Sequence, residues 1–169
     1  MAAIFDTIEE RARHLEGFIQ GYARFAKLPT PRLEAVRWSD FIQHLSAQIA
    51  FTLEGATPEG SARLDAAQME QALINLLKNA HESGSAAADV SLQLEAARGS
   101  VRISVRDRGP GMSATVLANA LVPFYSTKRA GTGLGLALAR EIIEAHGGSI
   151  ALSNREGGGL QVSLLLPIV

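Results

Sequence analysis

Hydrophobic positions in the first stretch of the chain repeat by sevens. Ile8, Leu15 and Tyr22 form one series, and Ile4, Phe18 and Phe25 form a second that Arg11 interrupts. Together they predict one amphipathic helix with an a/d seam suited to a short coiled coil or helical bundle. Leu28-Pro29-Thr30-Pro31 stops it, because proline removes a backbone donor and drives its predecessor out of helical dihedrals. Such a helix either packs on its own domain or pairs with another helix, and a polar hinge after heptads favours a dimerisation element. The chain thus divides into a helix over 1–28, a hinge over 29–32 and a domain over 33–169.

Beyond the hinge the period changes several times. Leu33 to Val36 reads as a short strand. Ser39 is a plausible N-cap for a helix with Phe41, Ile42, Leu45 and Ile49 on one face. Phe51 to Leu53 and Ala62 to Leu64 read as short strands, and Asp65 caps a strongly apolar helix from Ala66 to about Glu82, broken by Ser83-Gly84-Ser85. Period-two alternation in Val90, Leu92, Leu94 and in Val101, Ile103, Val105 predicts strands over Asp89 to Ala96 and Val101 to Asp107, joined by Arg98-Gly99. A helix near Ala114 to Ala120, a glycine-rich loop, and a helix from about Leu134 to His146 follow. Gly147-Gly148 ends that helix, and strands Ser149 to Asn154 and Leu160 to Leu166 close the chain. Hairpin strands mixed with helices predict an α+β fold, a two-layer sandwich whose mixed sheet is covered by helices on one face.

Composition narrows the function. The 169 residues, 47% hydrophobic and 20% charged, are those of a soluble globular domain. Sixteen Lys plus Arg stand against 17 acidic residues, so no global field attracts nucleic acid, and phosphate recognition has to be local. The absence of cysteine excludes disulfides and thiolate metal sites. No apolar run has the length of a membrane span, and Met1-Ala2-Ala3-Ile4-Phe5 has no basic segment ahead of an apolar one, so a cytoplasmic setting is expected.

Four segments carry chemistry. Gly131-Thr132-Gly133-Leu134-Gly135 leads into the helix Leu136-Ala137-Leu138-Ala139-Arg140, where bare backbone amides and a helix start suit a polyphosphate. No Lys-Ser/Thr pair follows the last glycine, so this is no Walker loop. In Asn75-Leu76-Leu77-Lys78-Asn79 the two amides lie four apart on one helical face, and a magnesium ion shared with phosphates would satisfy them. Asp107-Arg108-Gly109-Pro110-Gly111-Met112 ends a strand with a carboxylate beside glycines, able to accept a hydrogen bond from the exocyclic amine of a base. Pro123-Phe124-Tyr125-Ser126-Thr127-Lys128-Arg129 sets two cations ahead of the glycine loop. Singly, each segment has a bland explanation: solvated amides, an Asp turn, an exposed basic pair, a surface loop.

Their order is distinctive. Asn-x-x-x-Asn, Asp-x-Gly-x-Gly, Phe-x-Ser-Thr-Lys and Gly-x-Gly-x-Gly, in that sequence from about Leu33 to the C-terminus, resemble the GHKL ATP-binding superfamily and, within it, the sensor histidine kinases. Glu82 where many members have lysine, and Phe25-Ala26-Lys27-Leu28-Pro29, resemble the nitrogen-regulation type. The resemblance implies that Asn79 ligates Mg2+ with Asn75 beside it, and that Asp107 holds the adenine amine while Gly109 and Gly111 shape the turn. It implies that Phe124, Thr127 and Lys128 belong to a mobile lid, with Lys128 on the terminal phosphate. Gly131, Thr132, Gly133, Leu134, Gly135 and Leu136 would cradle the phosphates, and Ile103, Met112, Leu121 and Leu134 would line the adenine pocket. Lys78, one residue from Asn79 and so about 100° away around the helix, is not expected to join them.

ATPases of the superfamily carry a glutamate one turn before the metal-binding asparagine, where it activates water. Here that place is Asn75, and an amide is no general base. Slow hydrolysis and transfer to a protein acceptor are therefore implied. The acceptor of this class is a helical histidine followed by an acidic residue, and none of His14, His44, His81 or His146 has that context. His14 reads as a solvated helix residue, His44 falls off its helix's apolar face, His81 sits in the asparagine box, and His146 suits the negative end of a helix. The N-terminal helix then resembles the second helix of a dimerisation hairpin. The expectation is an ATP-binding catalytic domain that uses ATP and Mg2+, pairs as a homodimer in the full kinase, serves a response regulator, and does not autophosphorylate alone. The alternative is a non-catalytic nucleotide-binding regulatory module.

Overall fold

The computed structural model describes residues 2–127 and 133–168. A long helix, α1 (Ala2–Ala26), leads into β1 (Glu34–Arg37), α2 (Trp38–Gln48), β2 (Thr52–Glu54), β3 (Ser61–Leu64) and α3 (Ala66–Glu82). A single 3₁₀ turn at Ala87–Asp89 precedes β4 (Ser91–Ala97) and β5 (Ser100–Arg106), followed by α4 (Ala114–Asn119), α5 (Gly135–Ala145), β6 (Ser149–Asn154) and β7 (Leu160–Pro167). No helix among the described residues is long and apolar enough to cross a membrane.

Five strands form a mixed sheet in the order β2-β4-β5-β7-β6, with β2 parallel to β4 and the other pairs antiparallel. β1 and β3 make a separate antiparallel ribbon. The register follows from the alternation: Leu92 lies opposite Val105, Leu94 opposite Ile103, and Ile103 opposite Leu164. These residues turn inward and are buried with α2, α3 and α5 in one core. Polar residues alternate onto the other face, where Arg106 donates to Glu54 at 2.6 Å and to Gln161 at 2.7 Å. The expected sandwich, helices on one side of a mixed sheet, is the fold observed.

The helix α3 is placed by its sequence. Met69, Leu73, Leu76, Leu77 and Ala80 recur at helical spacing, are at most 4% exposed, and form the stripe facing the sheet. Asp65 starts the helix by accepting the N–H of Gln68 at 3.1 Å, the capping bond its position predicted. Its other carboxylate oxygen accepts from the N–H of Arg32 at 3.0 Å, and Gln68 donates to the carbonyl of Pro29 at 2.8 Å, so the segment after α1 is stitched onto the start of α3.

One expectation about helix ends is corrected and another is extended. Ser39 is not the N-cap of α2. That helix begins at Trp38, the cap position is Arg37, and no side chain caps it. Burial wins over capping here: Trp38 is 1% exposed and meets Phe41 edge-on at 6.1 Å, which fixes the helix start one residue ahead of the serine. His146 stands at the C-terminal end of α5, as expected, and also reaches the start of α3. Its Nε2 accepts the N–H of Asp65 at 3.1 Å and its Nδ1 lies 2.7 Å from the carbonyl of Ile142. Those partners require Nδ1 to carry the proton and Nε2 to be bare, the neutral imidazole.

Candidate nucleotide-binding site

Between α3, the β5 end, the α4 segment and the start of α5 lies a cavity of about 860 Å³. The helix α3 forms one wall. Asn75, Lys78, Asn79 and Glu82 all line it, at i, i+3, i+4 and i+7, flanking the buried apolar stripe. Lys78 is thus on the wall, contrary to expectation. The angle to its neighbour Asn79 was the wrong comparison, since it sits three residues from Asn75 and shares that face. His81 points elsewhere, its Nε2 2.7 Å from the carbonyl of Ala50.

At the amide end Asn75 donates to the carbonyl of Gly135 at 3.4 Å, tying α3 to the start of α5. Gly133, Gly135 and Leu136 line the cavity here, and the N-cap position of α5, Leu134, gives no side-chain cap. A helix start presents backbone amides and favours negative charge. Gly133 has φ +71, and a Cβ there would overlap the backbone of Phe124, whose N–H donates to the Gly133 carbonyl at 3.0 Å. Only glycine permits that approach.

The carboxylate end is two turns further along. Ser83 is eight residues beyond Asn75, about 12 Å along a helix. A Cβ on Gly109 would stand 2.6 Å from the Ser83 hydroxyl, so the turn after Asp107 presses directly on the end of α3. Asp107 is 3% exposed, yet it lines the cavity. Its Oδ1 accepts from the N–H of Gly109 at 2.9 Å and of Leu160 at 3.2 Å, while Oδ2 takes no hydrogen bond from a described residue. Around it the wall is apolar: Val105, Met112, Val116, Ala120, Leu160 and Val162.

Of the residues singled out in the sequence, Asn75, Asn79, Asp107, Gly111, Met112, Thr127, Gly133, Gly135 and Leu136 meet on this cavity. Lys128, Gly131 and Thr132 lie outside the described residues. Gly109 and Leu134 stand behind the wall, Leu134 buried and 3.2 Å from the Cβ that Gly21 of α1 lacks. Ile103 is a core residue, and Leu121 is off the wall. Phe124 faces away: in a left-handed backbone conformation (φ 66), its ring lies 5.3 Å from Phe18 and 6.1 Å from Tyr22, both on α1. Tyr125 and Ser126, which belong to the same sequence segment but were given no role of their own there, line the cavity instead. Val105 was findable, being on the same face of β5 as Ile103 and nearer to Asp107.

The donor set admits a hard cation. Among the described residues no group of three or more His, Cys, Asp or Glu could cage a metal, whereas Asn75 and Asn79 put amide groups side by side on the wall. Few protein oxygens beside a polyphosphate is how magnesium is commonly held.

Comparison with known proteins agrees with the geometry. Residues 64–169 match the family described as histidine kinase-, DNA gyrase B-, and HSP90-like ATPase, and the chain belongs to it. The C4-dicarboxylate transport sensor protein DctS of Rhodobacter capsulatus is 32% identical over 179 residues, covering 97% of this chain and 27% of that protein. The catalytic domain of histidine kinase ThkA superposes with a TM-score of 0.72 at 29% identity, covering 80% of this chain and 95% of that one. A structure of ThkA in complex with response regulator protein TrrA shares the fold over 97% of this chain and 50% of that one, with a TM-score of 0.79 at 24% identity. Within the family, this is the ATP-binding catalytic domain of a sensor histidine kinase. The chain spans about a quarter of the length of DctS.

Proposed function

We propose that this chain holds Mg-ATP in the 860 Å³ cavity and delivers the γ-phosphoryl group to a histidine that is none of its own four. The observation that carries the reading is the polarity of the cavity along α3, with amides and glycines at one end and, at the other, a buried carboxylate whose Oδ2 takes no hydrogen bond from a described residue.

In this reading Asp107 accepts the adenine amine through Oδ2, Gly109 and Gly111 set the turn, and Met112 packs on the base. Asn79 and Asn75 hold Mg2+, which when bound offsets charge on the phosphate oxygens. Thr127, Gly133, Gly135 and Leu136, with Lys128, Gly131 and Thr132, surround the phosphates, and Leu134 and Phe124 support that loop from behind. Lys78 adds a cation on the same wall. Asn75 cannot deprotonate water, so the bound triphosphate persists until an imidazole attacks phosphorus and ADP leaves. The exposed seam of α1, with Ile4, Ile8 and Leu15 each more than half accessible, serves homodimer formation, and residues 29–32 act as its hinge. The setting is cytoplasmic and the downstream partner a response regulator, as the ThkA complex suggests for its own chain.

A transfer assay with γ-labelled ATP tests this. Labelled acceptor is expected when a peptide carrying a helical His-Glu motif joined to the dimerisation helix is supplied, with no label on this chain alone. Label on His14 of the isolated chain would refute the assignment of the acceptor.

A further inference from the structure

The purine end of the cavity is braced by a segment of which only the last residue, Leu160, lines it. The turn from β6 to β7, Asn154 to Leu160, wraps around Asp107–Met112 and contacts it throughout. Arg155 donates from Nη1 to the carbonyl of Asp107 at 2.8 Å. Leu160 both donates to Oδ1 of Asp107 and accepts its backbone N–H, at 3.2 and 3.0 Å. Asn154 holds Met112 twice, accepting its N–H at 2.8 Å and donating to its carbonyl at 2.7 Å. In return Arg108 donates to the carbonyls of Glu156 and Gly158, both at 3.0 Å.

The turn is also pressed close. Gly159 has φ +104, and a Cβ there would overlap the carbonyl of Asp107 and stand 3.0 Å from Cα of Arg108. Arg155 is held against resistance: burial, and then the neighbouring guanidinium groups of Arg108 and Arg106, lower its pKa. The carboxylates of Glu54 and Asp107 act in the opposite direction, and the Asp107 carbonyl takes the Arg155 donor.

We infer that Arg155 and Asn154 are positioning residues for purine recognition, fixing the Asp107–Met112 segment so that the Asp107 carboxylate meets an exocyclic amine. The inference rests on the reading of Asp107 given above. Neither side chain touches nucleotide. Each acts through the backbone it grips, and a carboxylate displaced by a fraction of an ångström loses a directional bond while the phosphate end is untouched.

Calorimetry of the chain and its variants with Mg-ATP and Mg-ITP decides it, because the inosine base has a carbonyl where adenine has the amine. Arg155→Ala is expected to weaken ATP binding about ten-fold, the effect of degrading one hydrogen bond to a charged group. ITP binding should stay within about two-fold, and Arg155→Lys, which retains a donor, should restore ATP binding. Combined with Asp107→Ala the loss should not grow, whereas combined with Asn79→Ala it should add in full. Asn154→Ala, at an exposed position, must give the same selective loss, which keeps the test open should Arg155→Ala not fold. Equal weakening of ATP and ITP, or a loss that adds to Asp107→Ala, overturns the positioning role alone. ATP binding indifferent to Asp107→Ala removes the underlying site reading, and this inference with it.

Discussion

Asp65 shows how one side chain joins local and long-range order. It caps α3, accepts from Arg32 after α1, and receives its own backbone partner from His146 at the end of α5. Burial raises the pKa of its carboxyl, but hydrogen bonds from the backbone N–H groups of Arg32, Gln68 and Ala67 outweigh that, and the net shift is downward. A depressed folded-state pKa means that the stability is complete above the ordinary aspartate range near 4 and disappears as pH falls through the lower folded value. Asp65→Ala is expected to cost about 1 kcal/mol at pH 7 in urea titrations. The gap between it and the parent should close as the pH is taken below about 4, and a gap that stays constant there would remove the carboxylate from the explanation.

Helix α5 is tied back to α3 by the neutral imidazole of His146. Replacing it with leucine fills the volume but leaves the Asp65 N–H with no acceptor in a half-buried place. An expected loss of about 1–3 kcal/mol, read from thermal melting, follows from that unmade bond. Much of this layer was legible beforehand. The seven-residue spacing, the apolar helix after Asp65 and the alternation of β4 and β5 each gave an element within a residue or two of its observed ends. What could not be read were pairings set by distant partners: β2 running parallel to β4, β1 leaving the main sheet for β3, and Trp38 displacing Ser39 at a helix start. The site divides the same way. Residues chosen for their chemistry, such as Asn75, Asn79 and Asp107, converge on the cavity, while apolar wall residues such as Val116 and Val162 carried no mark to separate them from the core. Asn154 and Arg155 were invisible, because a residue that acts by gripping another's backbone leaves no motif.

Across the whole chain, α1 bears no buried residue, yet it is not detached from the rest. Phe18 and Tyr22 meet Phe124, Gly21 lies against Leu134, and Phe25 packs on the core. Phe124→Ala should remove most of the grip on the second half of the helix. Amide exchange is expected to quicken by about ten-fold or more over residues 14–26 and to stay unchanged in α3, since an aromatic pair contributes about 0.5–1.5 kcal/mol beyond the area it buries. Unaltered exchange in that stretch would mean that the ring contacts hold nothing.

The direction of two adjacent side chains has a mechanical reading. Phe124 lies on the long helix, and Tyr125, the next residue, forms part of the cavity wall. The peptide between them is planar, and turning about φ and ψ is the soft freedom left between the two rings. The residue that meets α1 and the residue that meets the cavity are thus one peptide apart.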